Sequence, residues 1–153
     1  DNMVLKVYKN KPFSKNGLIN RSKITEYANN IIETFDVRSG EGGKSIARSL
    51  SGGNQQKGVI GREIQSSPDL LIAVQPTRGL DVGSIEYIHK RLVEQRDSGK
   101  AVLLVSLELD EILNVSDRIA VVNNGELIGI VNASETDENE VGLMMAGIKR
   151  GES

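Results

Sequence analysis

Eight consecutive residues, Leu50 to Lys57 (Leu-Ser-Gly-Gly-Asn-Gln-Gln-Lys), carry the strongest chemical signal in the chain. A hydroxyl and two glycines precede a segment that the sequence predicts to be helical from about Asn54 to Ser66. A helix start carries backbone N–H groups with no partner inside the helix, and the positive end of its dipole. Glycines there let an anion reach the bare backbone, so the element is suited to gripping a phosphate. Ser51, Gly52, Gly53, Asn54 and Gln55 are the candidate binding residues. Taken alone, Ser51 would also serve as an ordinary helix cap.

A second string imitates a phosphate loop. Gly43-Lys44-Ser45 looks like the end of G-x-x-x-x-G-K-[ST], but the position of the first glycine is occupied by Arg38. Such a loop also has to follow a strand and open a helix, whereas here it follows a helix and leads into the stretch before Leu50. Glu108, Asp110 and Glu111 form an acidic group, read as the solvated face of a short helix. His89, the one histidine, is assigned a surface or half-buried structural place.

Several elements would position these residues. Ile24, Tyr27, Ala28, Ile31, Ile32 and Phe35 form one apolar stripe at helical spacing, predicting a helix over 22–35. The helix after Gly53 should stop before Pro68. Gly58 and Gly61, inside it, each cost roughly 0.8–1 kcal/mol relative to alanine; close packing is the one reason offered for them. Leu70–Val74 and Ala101–Ser106 are short unbroken apolar runs, read as strands buried on both faces. Helices are expected over 84–97, 108–115 and 137–146. Ile119–Val122 and Leu127–Val131 flank Asn124-Gly125, a strong hairpin signal. Strand and helix alternation from about residue 67 predicts an α/β arrangement with a parallel sheet.

The Leu50–Lys57 string is similar to the signature motif of ATP-binding cassette (ABC) ATPases. Its Asn-Gln-Gln-Lys ending resembles the duplicated cassettes of sugar and nucleoside importers. The likeness continues through QPTRGLD (Gln75–Asp81), SLELDE (Ser106–Glu111) and SDRIAVV (Ser116–Val122), in the family's order and over most of the chain. The resemblance implies a partial P-loop NTPase fold. A helical, signature-bearing subdomain would span 1–66, and the C-terminal half of the RecA-like core, with parallel strands and a terminal hairpin, would span 67–153. The phosphate loop would then lie upstream of Asp1, and the chain reads as a piece of a longer polypeptide, its second cassette.

The resemblance also assigns roles. Ser51 to Gln55 would clamp ATP bound by a partner cassette, and Arg78, Gly79 and Asp81 would cross between cassettes. Three positions depart from the family's catalytic pattern: Val74 stands where an Asp is expected, Gln75 where a Glu is expected, and Leu107 where a His is expected. No catalytic residue and no metal ligand is therefore assigned to this chain. Leu107 by itself reads as core. ATP and Mg²⁺ are implied only for the full assembly, in which ATP hydrolysis drives transport. The implied partners are a second cassette in the same or another chain, membrane permease subunits and, indirectly, an extracellular substrate-binding protein. That places the chain at the cytoplasmic face of the membrane. No nucleic acid is expected. The alternatives are a soluble ABC ATPase acting on nucleic acid or the ribosome, and a regulatory module without turnover.

Composition narrows the classes further. The 153 residues contain no cysteine, which excludes disulfides and thiolate chemistry, and only 3% aromatic residues, which disfavours base-stacking surfaces. No run of apolar residues is long enough for a membrane span. The net charge of −2 hides an asymmetry: residues 1–48 carry nine Lys/Arg and five Asp/Glu, and the remainder ten and sixteen. Lys6, Lys9, Lys11 and Lys15 are spread along a loop-like stretch and read mainly as solvated surface, with nucleic acid or anionic lipid as the partners such charge would suit.

Overall fold

The computed structural model describes residues 1–149; Arg150 to Ser153, the end of the segment expected to run over 67–153, lie outside the described residues. The chain forms two compact units. One combines Asp1–Leu71 with Pro76–Ala101, and the other combines Ile72–Gln75 with the chain from Val102 onward.

In the first unit, a 3-10 turn at Asn2–Val4 leads to a small hairpin, β1 (Ser14–Lys15) and β2 (Leu18–Ile19). Its turn, Asn16-Gly17, has φ of 51° and 79°, the left-handed values that a two-residue hairpin turn requires. Helix α1 spans Arg21–Thr34, with Asn20 accepting from the Lys23 N–H as its cap. Its predicted stripe is the buried one: Ile24 packs with Val4 and Phe13, and Ile31 with Phe35 and Val37. Phe13 meets Tyr27 edge-on, with ring centroids 5.0 Å apart.

Helix α2 spans Gly52–Gln65, starting two residues earlier than expected because Ser51 caps it. It ends before Ser67, which turns left-handed (φ 48°) ahead of Pro68. The helical glycines now have a cause. A Cβ on Gly61 would lie 2.7 Å from the Phe35 ring and 3.0 Å from Ile31, and one on Gly58 would lie 3.1 Å from the Met3 methyl. At Gly61, helix α2 therefore approaches Phe35 and Ile31 more closely than a side chain would allow without a shift, while at Gly58 the flexible Met3 methyl would have to give by a few tenths of an ångström. Helix α3 spans Val82–Asp97, capped by Asp81, with Ile88 and Leu92 fully buried and His89 half-buried.

The second unit begins with the greater part of β3 (Leu70–Val74) and β4 (Ala101–Val105). These two strands pair in parallel: the Asp69 carbonyl accepts from the Ala101 N–H, and the Val105 carbonyl from the Gln75 N–H, so both strands advance together. The expected burial on both faces is not found. Leu70, Ile72, Val74, Leu103 and Val105 are exposed, whereas the alternate residues Leu71 and Ala73 are buried. Strand geometry sends successive side chains to opposite faces, and nothing among the described residues covers the second face.

Helix α4 (Leu109–Val115), β5 (Arg118–Asn123), β6 (Glu126–Asn132) and α5 (Glu138–Met145) complete this unit. The antiparallel hairpin turns at Asn124 and Gly125, with φ of 47° and 83°, and a bulge shifts its register after Val121. Ile119, Val121, Val131, Val141 and Met144 form its core, and Leu109, Ile112 and Leu113 pack on it. Two expectations are corrected here. Leu107 is 73% exposed and so not core, because it follows β4 into a loop. Glu111 is only 4% exposed rather than solvated, because its turn of α4 faces inward. Among the described residues no helix is long and apolar enough to cross a membrane.

The α1–α2 contact can be tested directly. Gly61→Ala gains helix propensity of roughly 0.8–1 kcal/mol but forces a methyl into Phe35 and Ile31, and overpacking of this kind costs about 1–3 kcal/mol. The expected net result is destabilisation of up to about 2 kcal/mol, read by urea unfolding. A stabilised variant would show that the helices can separate at no cost.

Candidate functional site

The first turn of α2 carries the candidate binding residues. Ser51 and Gly52 are exposed, Gly53 is buried, Asn54 is half-buried and Gln55 is exposed. Ser51 Oγ accepts from the Asn54 N–H at 3.4 Å and from Asn54 Nδ2 at 2.9 Å. A serine hydroxyl has two acceptor sites and one proton. With both acceptor sites engaged by Asn54, the Ser51 proton is left to donate outward. The side chains behind the turn are fixed: Asn54 Oδ1 accepts from the Arg38 N–H at 2.7 Å, and Gln55 Nε2 donates to the Leu50 carbonyl at 2.8 Å. Lys57 is tied down as well. Its ammonium donates to Asp36 Oδ2 at 2.9 Å and lies 4.4 Å from the centre of the Tyr87 ring. Its donated hydrogen bond and its charge hold the Asp36 carboxyl below its ordinary pKa.

The expected inter-cassette residues lie in the same unit and on the same side. Thr77 accepts from the Leu80 N–H at 3.1 Å, closing a turn in which Gly79 takes φ of 72°, and Arg78 and Gly79 are exposed at its tip. Leu80 lies against Gly52, 3.6 Å from where a Cβ would be. Asp81 caps α3: Oδ1 accepts from the Ser84 N–H at 3.0 Å and Oδ2 from the Ser84 hydroxyl at 2.8 Å. A Cβ on Gly53 would fall 2.3 Å from Ser84 Oγ and 3.5 Å from Asp81 Oδ2. The Ser84 hydroxyl, followed by its backbone N–H, pulls the Asp81 carboxyl below its ordinary pKa. Ser51 to Gln55 and Arg78 to Asp81 are thus brought together on one surface. Ser84, which links them, was not singled out from sequence.

The three departures lie in the second unit. Val74 is 63% exposed at the end of β3, and Gln75 follows it in the left-handed region (φ 49°). The Gln75 N–H reaches the Val105 carbonyl at 2.8 Å, which brings the ends of both strands together, two residues before Leu107. Val74 and Leu107 carry no donor atom, and Gln75 offers a single neutral amide oxygen that cannot take up a proton and is too little, alone, to hold Mg²⁺, which is bound through one or two carboxylates. The residues at this point do not fit a resident metal, and no metal-holding cluster of acidic, histidine or cysteine side chains occurs among the described residues. Gly43-Lys44-Ser45 is no phosphate loop either. It lies in a 3-10 turn, Gly42–Lys44, with the Gly43 N–H donating to Asn29 Oδ1 at 2.7 Å.

No family model matches the chain. Curated relatives do. It is 54% identical over its whole length to the guanosine import ATP-binding protein NupO of Bacillus subtilis, covering 30% of that protein. It is 57% identical over 96% of its length to the nucleoside import ATP-binding protein NupA of Lactococcus lactis, covering 29% of that protein. A solved ATP-binding cassette of an ABC transporter superposes on 87% of the chain with a TM-score of 0.68 and 25% identity, over 52% of its own length. The chain belongs to the ABC ATPase family. It spans less than a third of the length of the curated relatives it matches. Within the family's α/β fold, the Leu50–Lys57 string occupies the capped helix start described above.

The Asp81–Ser84 contact makes a pH prediction. A carboxylate whose pKa is depressed in the folded state contributes stability that is present above its unfolded pKa and lost as pH falls through the folded value. An NMR titration should find Asp81 titrating below an ordinary aspartate, and Ser84→Ala should move it upward. An unchanged midpoint in Ser84→Ala would mean that the serine does not hold the carboxylate.

Proposed function

We propose that this chain supplies the signature-bearing face of a cassette in the ATP-binding subunit of an importer. In this reading the N–H groups at the start of α2 and the outward Ser51 proton grip the phosphates of an ATP held by the partner cassette. Arg78, Gly79 and Asp81 lie along the same junction. ATP and its Mg²⁺ are bound mainly by residues of the partner. The chain's own strand ends, with Val74, Gln75 and Leu107, provide no base, no metal ligand and no imidazole, so turnover belongs to the opposite half of the pair. The single observation that carries this is the contrast between a fully formed helix-start clamp and the absence of oxygen or nitrogen chemistry at Val74 and Leu107.

Nucleosides are the favoured cargo and sugars the next. The nucleoside import relatives share 54% and 57% identity with the chain, against 43% for the galactose/methyl galactoside import ATP-binding protein MglA of Treponema denticola. Coupling to a membrane permease at the cytoplasmic face, and indirectly to a substrate-binding protein, follows from the same assignment. The bare face of the β3–β4 sheet fits a chain that packs against further sequence of a longer polypeptide, since parallel sheets are normally covered on both sides.

In the full-length importer assembled with its permease, Ser51→Arg should place a bulky cation in the clamp and lower ATP turnover and uptake by about a hundredfold or more. Gln75→Ala should leave both within about twofold, because no proton transfer is lost. Equal damage from the two substitutions would overturn the asymmetric assignment.

A further inference from the structure

Between Asp1 and Glu26 the chain has six cations and no carboxylate: Lys6, Lys9, Lys11, Lys15, Arg21 and Lys23. Three of them are matched. Lys6 pairs with Glu63, Arg21 with Asp1 at 2.6 Å, and Lys23 with Glu26 at 2.7 Å. Lys9, Lys11 and Lys15 are exposed and form no ion pair among the described residues. The unmatched charge is therefore confined to the seven positions leading into and through β1.

The same segment carries apolar surface. Leu18 is 77% exposed and Ile19 46%. Successive strand residues point to opposite faces, so β2 is bare on both sides. Leu18 is directly paired with Lys15 across the hairpin. Lys11, Pro12, Lys15, Leu18 and Ile19 border one shallow, open depression. The Asn16-Gly17 turn holds the tip in a tight two-residue geometry.

We propose that the β1–β2 hairpin is a contact for anionic lipid. A narrow apolar blade ringed by ammonium groups suits the boundary between headgroups and acyl chains: Leu18 and Ile19 enter the apolar layer while Lys9, Lys11 and Lys15 bend back to the phosphates. An acidic protein segment is the competing partner. It would dock on one face or into a groove lined by apolar pockets, whereas this hairpin is bare on both faces and its depression is open. The inference does not rest on the nucleotide reading, and its test involves no ATP.

The test is co-sedimentation of the full-length polypeptide, free of permease, with vesicles of phosphatidylcholine alone or of equal parts phosphatidylglycerol and phosphatidylcholine. Binding to the anionic vesicles, weakened by added salt, is expected. Replacing Lys9, Lys11 and Lys15 together by Gln should weaken it about tenfold or more. Leu18→Ser with Ile19→Ser should weaken it at unchanged charge. All five side chains are exposed, and an unchanged thermal midpoint confirms that the variants are folded. Equal binding to neutral vesicles, or full binding by either variant, would overturn the proposal. So would absence of binding to the anionic vesicles by the unaltered protein; loss of permease association in the lysine variant would then assign the surface to an acidic protein partner.

Discussion

The missing side chain at Gly53 is the constraint on which the site depends. It lets the Ser84 hydroxyl come to within 2.3 Å of where a Cβ would stand, so the starts of α2 and α3 meet almost without separation. Two helix starts are two positive dipole ends, and bringing them together is unfavourable unless an anion lies between them. Asp81 is that anion. Its carboxylate is bound to α3 through Ser84 and lies next to Gly53 of α2, and its depressed pKa records the donors gathered around it. Any larger residue at position 53 would push Ser84 away and loosen the cap of α3 together with the turn of α2.

About two turns further along α2, Gly61 uses the same device for a different end. Gly61 allows the Phe35 ring and Ile31 to reach the helix backbone, and the charged rim of this contact is closed by Lys57 with Asp36 and by Arg91 stacked near Phe35 and Tyr87. Helix α2 is thus held at its start by α3 and along its length by α1. Under the proposed function, a turn fixed from two directions would lose little freedom when a ligand arrives, which favours binding by a few backbone donors. Ser51 belongs to the same fixed turn: Asn54 occupies its acceptor sites, which leaves its hydroxyl proton free to donate elsewhere.

Most of this could be read from the chain because the informative residues were local. The stripe from Ile24 to Phe35 marked the buried face of α1, and Asn124-Gly125 marked the hairpin turn that φ values of 47° and 83° now display. The Ser51–Gln55 and Arg78–Asp81 groups were legible through their order along the sequence. Their meeting was not, since it depends on Ser84, an ordinary helix residue by sequence, and on packing at Gly53. The β1–β2 hairpin carries the same Asn-Gly turn signal, at Asn16-Gly17, but its two-residue strands have no alternating pattern to support it. The start of α2 was placed late because two glycines argue against helix locally, and only the Ser51 cap and the contact with α3 reverse that preference. Glu111 was masked by its acidic neighbours, and its burial is set by the turn of α4 on the hairpin core.

The all-apolar runs Leu70–Val74 and Ala101–Val105 show why composition misjudges burial. An unbroken apolar strand says that each face suits a hydrophobic neighbour, and nothing about whether the same stretch of chain provides both neighbours. Here one face is satisfied and the other presents five aliphatic side chains. A pair of parallel strands is too small to be stable with such a face in water, so the sequence is written for a larger sheet than these two strands. The relatives, more than three times as long, have room for the missing layer. Under the proposed assignment the strand ends at Val74, Gln75 and Leu107 keep the architecture of a catalytic edge while its reactive groups are replaced by hydrocarbon and amide.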